Sequence, residues 1–264
     1  MPHVQDGSFL TLHYRMSDPQ GQVIIDTFGD QPAVGVQDRR VLGGAGVGEN
    51  HALVADADMT AEKVLDNYLS AIGGAQKVAA IKTAKLSMDA NIMGNALTIA
   101  FVYDSENGRY AQKLSIAGNV MQKTSLVDGK GSMSMQGQNV PLTDAQLAEA
   151  KLNSYLFPEA IYKEKGYSVT FDGLKDVDGT PAYKVIISDG SGAKLTNYYA
   201  QDSGLKIKYE NPASGDTYYS NYQAKEGVLI PMAWTLKSPM IPVPLEAKVT
   251  TLELNTPVTD ADVN

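Results

Sequence analysis

Residues 97–130 read LTIAFVYDSENGRYAQKLSIAGNVMQKTSLVDGK, and their punctuation decides the fold. Polar-glycine pairs at Asn107-Gly108, Gly118-Asn119 and Asp128-Gly129 cut the stretch into short segments. Such pairs tolerate positive φ, which two-residue hairpin turns require. Between the turns, Leu97, Ile99, Phe101 and Tyr103 occupy alternate positions, so they share one face of a strand. The pattern extends outward in both directions. Gly94-Asn95 precedes it, and Asp178-Gly179, Asp189-Gly190, Ser203-Gly204 and Glu226-Gly227 follow. Strands are predicted at about 82–93, 96–104, 109–117 and 120–127. A second series is predicted at about 168–174, 181–188, 193–201, 204–211, 216–224, 227–237 and 243–254. Leu205, Ile207 and Tyr209 alternate with Lys206, Lys208 and Glu210; Met232, Trp234 and Leu236 share another apolar face. One apolar and one wet face per strand is the mark of an antiparallel sheet covered on one side.

The helical signals are few. Thr60 is placed to cap a helix with Glu62 in its first turn. Ala61, Val64, Leu65, Tyr68, Leu69 and Ile72 then form one apolar stripe, and Gly73-Gly74 ends it. A short helix is expected at Gln76 to Ile81. Thr143-Asp-Ala-Gln146 is a capping box opening a helix that runs to about Leu156, before Phe157-Pro158. Helices this short cannot cover so many strands. The sheet must curl on itself or leave a hollow, and function is expected in the concave face.

Composition bounds the function. The chain has 264 residues, 43% hydrophobic and 20% charged, which is ample for a core. A net charge of -8 without a basic cluster disfavours nucleic acid and anionic membranes as partners. There is no cysteine, hence no disulfide, thiolate metal site or cysteine nucleophile. No stretch is long and apolar enough for a transmembrane segment. The opening residues, MPHVQD, lack the basic and apolar regions of a signal peptide.

Catalytic constellations are missing from the main region. His3, His13 and His51 all precede residue 60, so no Ser-His-Asp set can form beyond it. His-x-x-Glu-His is absent. The glycines at 43, 44, 46 and 48 lack the Lys-Ser/Thr of a phosphate loop. Asp172, Asp176 and Asp178 have a lysine among them and no EF-hand glutamate, so they read as a solvated hairpin. The Tyr198-Tyr199 and Tyr218-Tyr219 doublets, with Tyr222, suit core-plus-surface packing or the stacking of a ring. Met88, Met93, Met121, Met133 and Met135 suit a malleable pocket lining or ordinary core filling. No enzyme activity, no cofactor and no metal are expected.

The first 58 residues read differently. Residues 8–14 and 23–28 are predicted strands around the turn Asp18-Pro-Gln-Gly21, and residues 39–58 form a glycine-rich linker. Leu10 to Tyr14, Gly21, Ile25-Asp26-Thr27 and Gln31-Pro32-Ala33 resemble the start of a short bacterial FKBP-type peptidyl-prolyl isomerase. The resemblance implies a proline pocket lined by Tyr14 and Asp26. It ends near residue 35, so residues 1–38 are expected to be a truncated hairpin without isomerase activity.

Residues 59–264 carry a second resemblance. Thr60 to Gly74, Val120-Met-Gln-Lys123, Asp128 to Gly131, Leu156-Phe-Pro158, Asp178 to Tyr183, Asp202 to Lys206, Asn221-Tyr-Gln223 and Gly227 to Pro231 together resemble outer-membrane lipoprotein-sorting (lipoprotein carrier-like) domains. Similar domains also end bacterial insulinase-type metallopeptidase chains. The resemblance implies an incomplete β-barrel with helices on its concave face, a periplasmic setting, and an apolar cavity for a lipid or lipoprotein acyl chain. In that family a buried arginine helps latch the lid, whereas Arg109 of this domain sits beside the Asn107-Gly108 turn. The expected ligand-binding residues are Leu97, Ile99, Phe101, Tyr103, Leu205, Ile207, Tyr209, Trp234 and Leu236. A second expectation is an accessory or scaffold domain packing on a peptidase or other envelope protein, with a filled interior and an apolar patch outside.

Overall fold

The computed structural model describes residues 58–264 apart from 93, 136–137, 190–193, 212–214 and 239–242, together with two short N-terminal strands. Those two, β1 (Arg15–Ser17) and β2 (Val23–Asp26), pair antiparallel. They belong to one compact unit, Met1–Ala52; Leu53–Asn264 is the other. The strand predicted over residues 8–14, Tyr14 itself and the glycine-rich linker lie outside the described residues, save Asp58.

The second unit is mainly β. Strands β3 (Thr83–Ile92), β4 (Asn95–Asp104), β5 (Arg109–Ile116), β6 (Asn119–Val127), β7 (Lys130–Met135) and β8 (Gln138–Pro141) form one antiparallel meander. A second meander runs through β9 (Ser168–Val177), β10 (Thr180–Ser188), β11 (Lys194–Ala200), β12 (Lys206–Asn211), β13 (Gly215–Lys225), β14 (Val228–Lys237) and β15 (Leu245–Leu254). The last strand returns to the first, since β15 pairs with β3. The result is one 13-stranded antiparallel sheet whose edge strands, β8 and β9, do not join, so it does not close into a barrel. The turns are built as the polar-glycine pairs require. Asp128 and Gly129 both have positive φ, as do Asp178 and Gly179.

Helix α1 (Ala61–Ala71) starts at Thr60, whose hydroxyl accepts from Lys63 N at 3.3 Å. Its stripe of Val64, Leu65, Tyr68 and Leu69, continued by Ile72, is buried in the main core. Burying such side chains is worth about 1.5–3 kcal/mol each. The helix end is tied to the sheet by Leu229 N donating to Ile72 O at 2.7 Å. Helix α2 (Ala75–Ala80) follows directly. Helix α3 (Asp144–Leu152) has the expected capping box at Thr143 and Gln146. It stops short of Leu156 because the Ser154 hydroxyl donates back to Lys151 O at 2.8 Å and closes the last turn. A single 3-10 turn, Pro158–Ala160, carries the chain on. Helix α4 (Asp260–Val263) ends it.

Arg109 has a structural position. Its Nε donates to the fully buried Asp104 at 2.8 Å, and its guanidinium also reaches Val258 O at 2.7 Å and Asp260 at 3.2 Å. It fastens the C-terminal segment to the β4–β5 turn. Burial raises the Asp104 carboxyl, but hydrogen bonds from Asn107 and Arg109 outweigh it and hold the group below its ordinary value. The aspartates of the 172–178 hairpin are likewise engaged. Asp172 pairs with Lys184 at 2.8 Å, Asp176 accepts from Gly179 N at 2.9 Å, and Asp178 pairs with Lys237 at 3.0 Å.

Candidate functional site

The inner face of the sheet and the helices over it line a partly open cavity of about 320 Å³. That falls at the lower end of the roughly 300–1,000 Å³ common for small-molecule sites. Strands β3, β4, β5 and β11–β15 supply the floor; Tyr68 of α1, Leu152 of α3 and the segment from Asn153 to Pro158 supply the roof. No helix among the described residues is long and apolar enough to cross a membrane.

The floor is aromatic and nearly continuous. Tyr110 lies 6.0 Å from Tyr103, Tyr103 lies 6.0 Å from Phe101, and Phe101 lies 5.5 Å from Trp234, ring centre to ring centre. Trp234 then meets Tyr219 edge-on at 5.4 Å. Phe101 is on β4 and Trp234 on β14, with β3 and β15 between them. Three strand spacings in a flat sheet would separate their backbones by roughly 14 Å. Strong curvature and inward lean bring the rings together. Ala247, paired opposite Trp234, leaves room for them. Trp234 is held by its indole N–H donating to Pro231 O at 3.2 Å.

Six of the nine expected binding residues line this cavity: Ile99, Phe101, Tyr103, Tyr209, Trp234 and Leu236. The other three do not. Leu97 is buried outside the lining, and Leu205 packs half-buried against the main core. Ile207 packs with Val177, Ala182 and Tyr198 in a separate small cluster. The cause is a bulge. Tyr198 pairs with Lys208 but Tyr199 with Lys206, so β12 carries one extra residue there and its side-chain alternation breaks. Ile207 therefore leaves the face it was expected to share with Tyr209, and Lys206 enters the cavity. Of the five methionines, Met88 lines it, and Met93 lies outside the described residues.

Lys206 brings charge into an aromatic setting. Its ammonium sits 5.2 Å from the centre of the Tyr219 ring and 5.8 Å from that of Tyr68. It pairs with Glu159 at 2.6 Å, and the Glu159 side chain is wholly buried. Tyr199 also donates to Glu159, at 3.4 Å. Asn197 lines the same cavity and donates through Nδ2 to the Tyr162 hydroxyl oxygen at 3.4 Å. Glu149 lines it too and accepts from Asn211 at 3.2 Å; burial pushes its carboxyl above the ordinary value. Burial raises the hydroxyls of Tyr68, Tyr103, Tyr162 and Tyr199 well above theirs. These phenols are hydrogen-bonding groups at ordinary pH, not acids.

Sequence reasoning missed Glu159, Lys206 and Asn197. Glu159 had one legible signal, a lone carboxylate in the apolar run Leu156 to Tyr162. The tyrosine doublets divide between the faces as their alternation implies. Tyr199 and Tyr219 point to the core and cavity. Tyr198 and Tyr218 flank Lys208 on the other side, with ring centres 5.2 and 5.3 Å from its ammonium.

No family model matches the chain, and no curated protein matches it. Solved structures do. A DUF1329 family protein from Desulfovibrio piger is 13% identical with a TM-score of 0.48, over 77% of this chain and 97% of that one. A LolA superfamily protein from Nitrosomonas europaea is 10% identical with a TM-score of 0.49, over 78% and 98%. A putative outer membrane lipoprotein-sorting protein domain from Vibrio parahaemolyticus is 10% identical with a TM-score of 0.46, over 76% and 97%.

Proposed function

We propose that this protein binds a hydrophobic ligand, a lipid or lipoprotein acyl chain, in the cavity between the curved sheet and its helices, without catalysis. The carrying observation is the cavity itself, with its aromatic floor from Tyr110 through Trp234 to Tyr219. Removing an acyl chain from water is worth about 0.8 kcal/mol per methylene, so such a floor holds a chain with few polar contacts. The resemblance of residues 59–264 to lipoprotein carrier-like domains supports the same reading and an envelope setting. The scaffold reading required a filled interior, and the cavity weighs against it.

The test is displacement of a fluorescent fatty-chain probe from the purified protein. Saturable binding at one site, weakened at least tenfold when Ala247→Phe fills the floor, is the expected outcome. No saturable binding by the folded protein would overturn the reading.

A further inference from the structure

We infer that the cavity's ligand carries an anionic head group, a carboxylate or a phosphate, and that Lys151 and Lys165 hold this group outside the cavity in a second, adjoining hollow. This rests on the hydrophobic-ligand reading and specifies the head group. The second hollow has a volume of about 340 Å³, and Leu152 and Tyr155 line both it and the cavity. The two spaces therefore meet at the end of α3. Gly108, Ser154, Ile161 and Tyr167 complete the second lining with the two lysines. It holds two ammonium groups and no carboxylate among the described residues, in a chain whose net charge is -8. Lys151 is exposed and makes no ion pair among the described residues. Lys165 lies 5.7 Å from the centre of the Tyr155 ring. Its one ion pair is with the neighbouring Glu164, at 3.4 Å, where both side chains are well exposed. Such a surface pair is worth little, so it yields readily to a ligand anion.

Charge also keeps the head group out of the cavity itself. The charged residues lining the cavity are Glu149 and Lys206, and Lys206 is already engaged with Glu159. An anion drawn inside would lose its water without gaining a free cation. In the second hollow it keeps part of its hydration and meets two ammonium groups, which act on a carboxylate or a phosphate as point charges. Tyr155 and Tyr167 are half-buried there, with an apolar ring and a polar hydroxyl suited to the boundary between chain and head. The chain then passes Leu152 and Tyr155 onto the aromatic floor.

The experiment compares four probes of equal chain length on the full protein: laurate, dodecyl phosphate, dodecanol and dodecyltrimethylammonium. Each competes with the fluorescent fatty-chain probe below its micelle-forming concentration. At low salt at least one anion should bind about three- to tenfold more tightly than dodecanol, with the cation weakest. The tighter of the two anions identifies the head group. High salt should shrink the preference. The double variant Lys151→Gln with Lys165→Gln should bring the anions to the level of dodecanol, while dodecanol itself moves by less than about twofold. In Ala247→Phe the anions and dodecanol should weaken together, because one chain site serves them all. Dodecanol matching both anions on the unmodified protein would overturn the inference. So would the cation binding best, an anion preference that survives loss of both lysines, or anion binding that Ala247→Phe leaves unchanged while dodecanol weakens. Saturable dodecanol binding in those cases leaves the hydrophobic-ligand reading standing; no binding of any probe removes both.

Discussion

Lys206 enters the cavity because β12 carries an extra residue beside it, and there it pairs with Glu159, whose side chain is wholly buried. Burying two charges is expensive, and their attraction roughly offsets that cost only while both are present. Lys206→Met should therefore destabilise the protein by roughly 3–5 kcal/mol, since it strands a buried carboxylate. The double variant Lys206→Met with Glu159→Leu should recover most of that loss, and urea unfolding of the four proteins in the cycle measures it. Equal losses in the single and double variants would refute the pairing. Glu149 gives a prediction of opposite sign. Burial raises its carboxyl, with hydrogen bonding to Tyr209 opposing. A carboxyl raised in the folded state is tolerated when protonated, so its contribution is intact below the unfolded value and is lost as pH rises through the folded one. Glu149→Gln should thus stabilise the protein at neutral pH, and that gain should vanish in acid, below the ordinary carboxylate range. A gain that persists in acid would contradict the assignment. Neither residue was legible as a cavity group. Strict alternation put Lys206 outside and Ile207 inside, and a one-residue bulge reverses that without changing composition.

Helix α1 shows how much an element can announce itself. Its cap, its apolar stripe and its stop at Gly73-Gly74 were all readable, because each rests on local geometry. What the sequence does not show is why that stop is glycine twice. Gly73 has φ +130° and lies against the Gly227 backbone, where a Cβ would collide with the carbonyl oxygen; Gly74 has open space around it. Gly73→Ala should cost roughly 2–4 kcal/mol in chemical unfolding, and Gly74→Ala about 1 kcal/mol. Comparable small losses would mean that the helix end is not docked on the β13–β14 turn. The long strands were readable for the same local reason. Strands β7 and β8 were not, since Lys130 to Met135 offers glycine and serine where large alternating side chains would signal a strand, and β8 is exposed throughout. Helix α3 was placed by its capping box, but its end was set by a serine hydroxyl that periodicity does not reveal.

At the scale of the whole unit, the mismatch between many strands and few short helices implied a sheet that curls on itself or leaves a hollow, and did not decide between the two. The curvature that makes the hollow comes from pairings distant in sequence. The return of β15 to β3 joins two meanders into one sheet, and this lets Phe101 and Trp234 meet across two intervening strands. No window of sequence contains that contact. It also places the single tryptophan of the chain, Trp234, on the cavity floor, where it reports on any occupant. The most direct test of the central claim is therefore the emission of Trp234 during titration with a fatty acid brominated along its chain, since bromine quenches an indole at contact. Quenching that saturates at one chain per protein, and that excess unbrominated fatty acid reverses, is the predicted result. Weak quenching that rises linearly without saturation, as for an indole free in solution, would contradict a chain bound in the cavity.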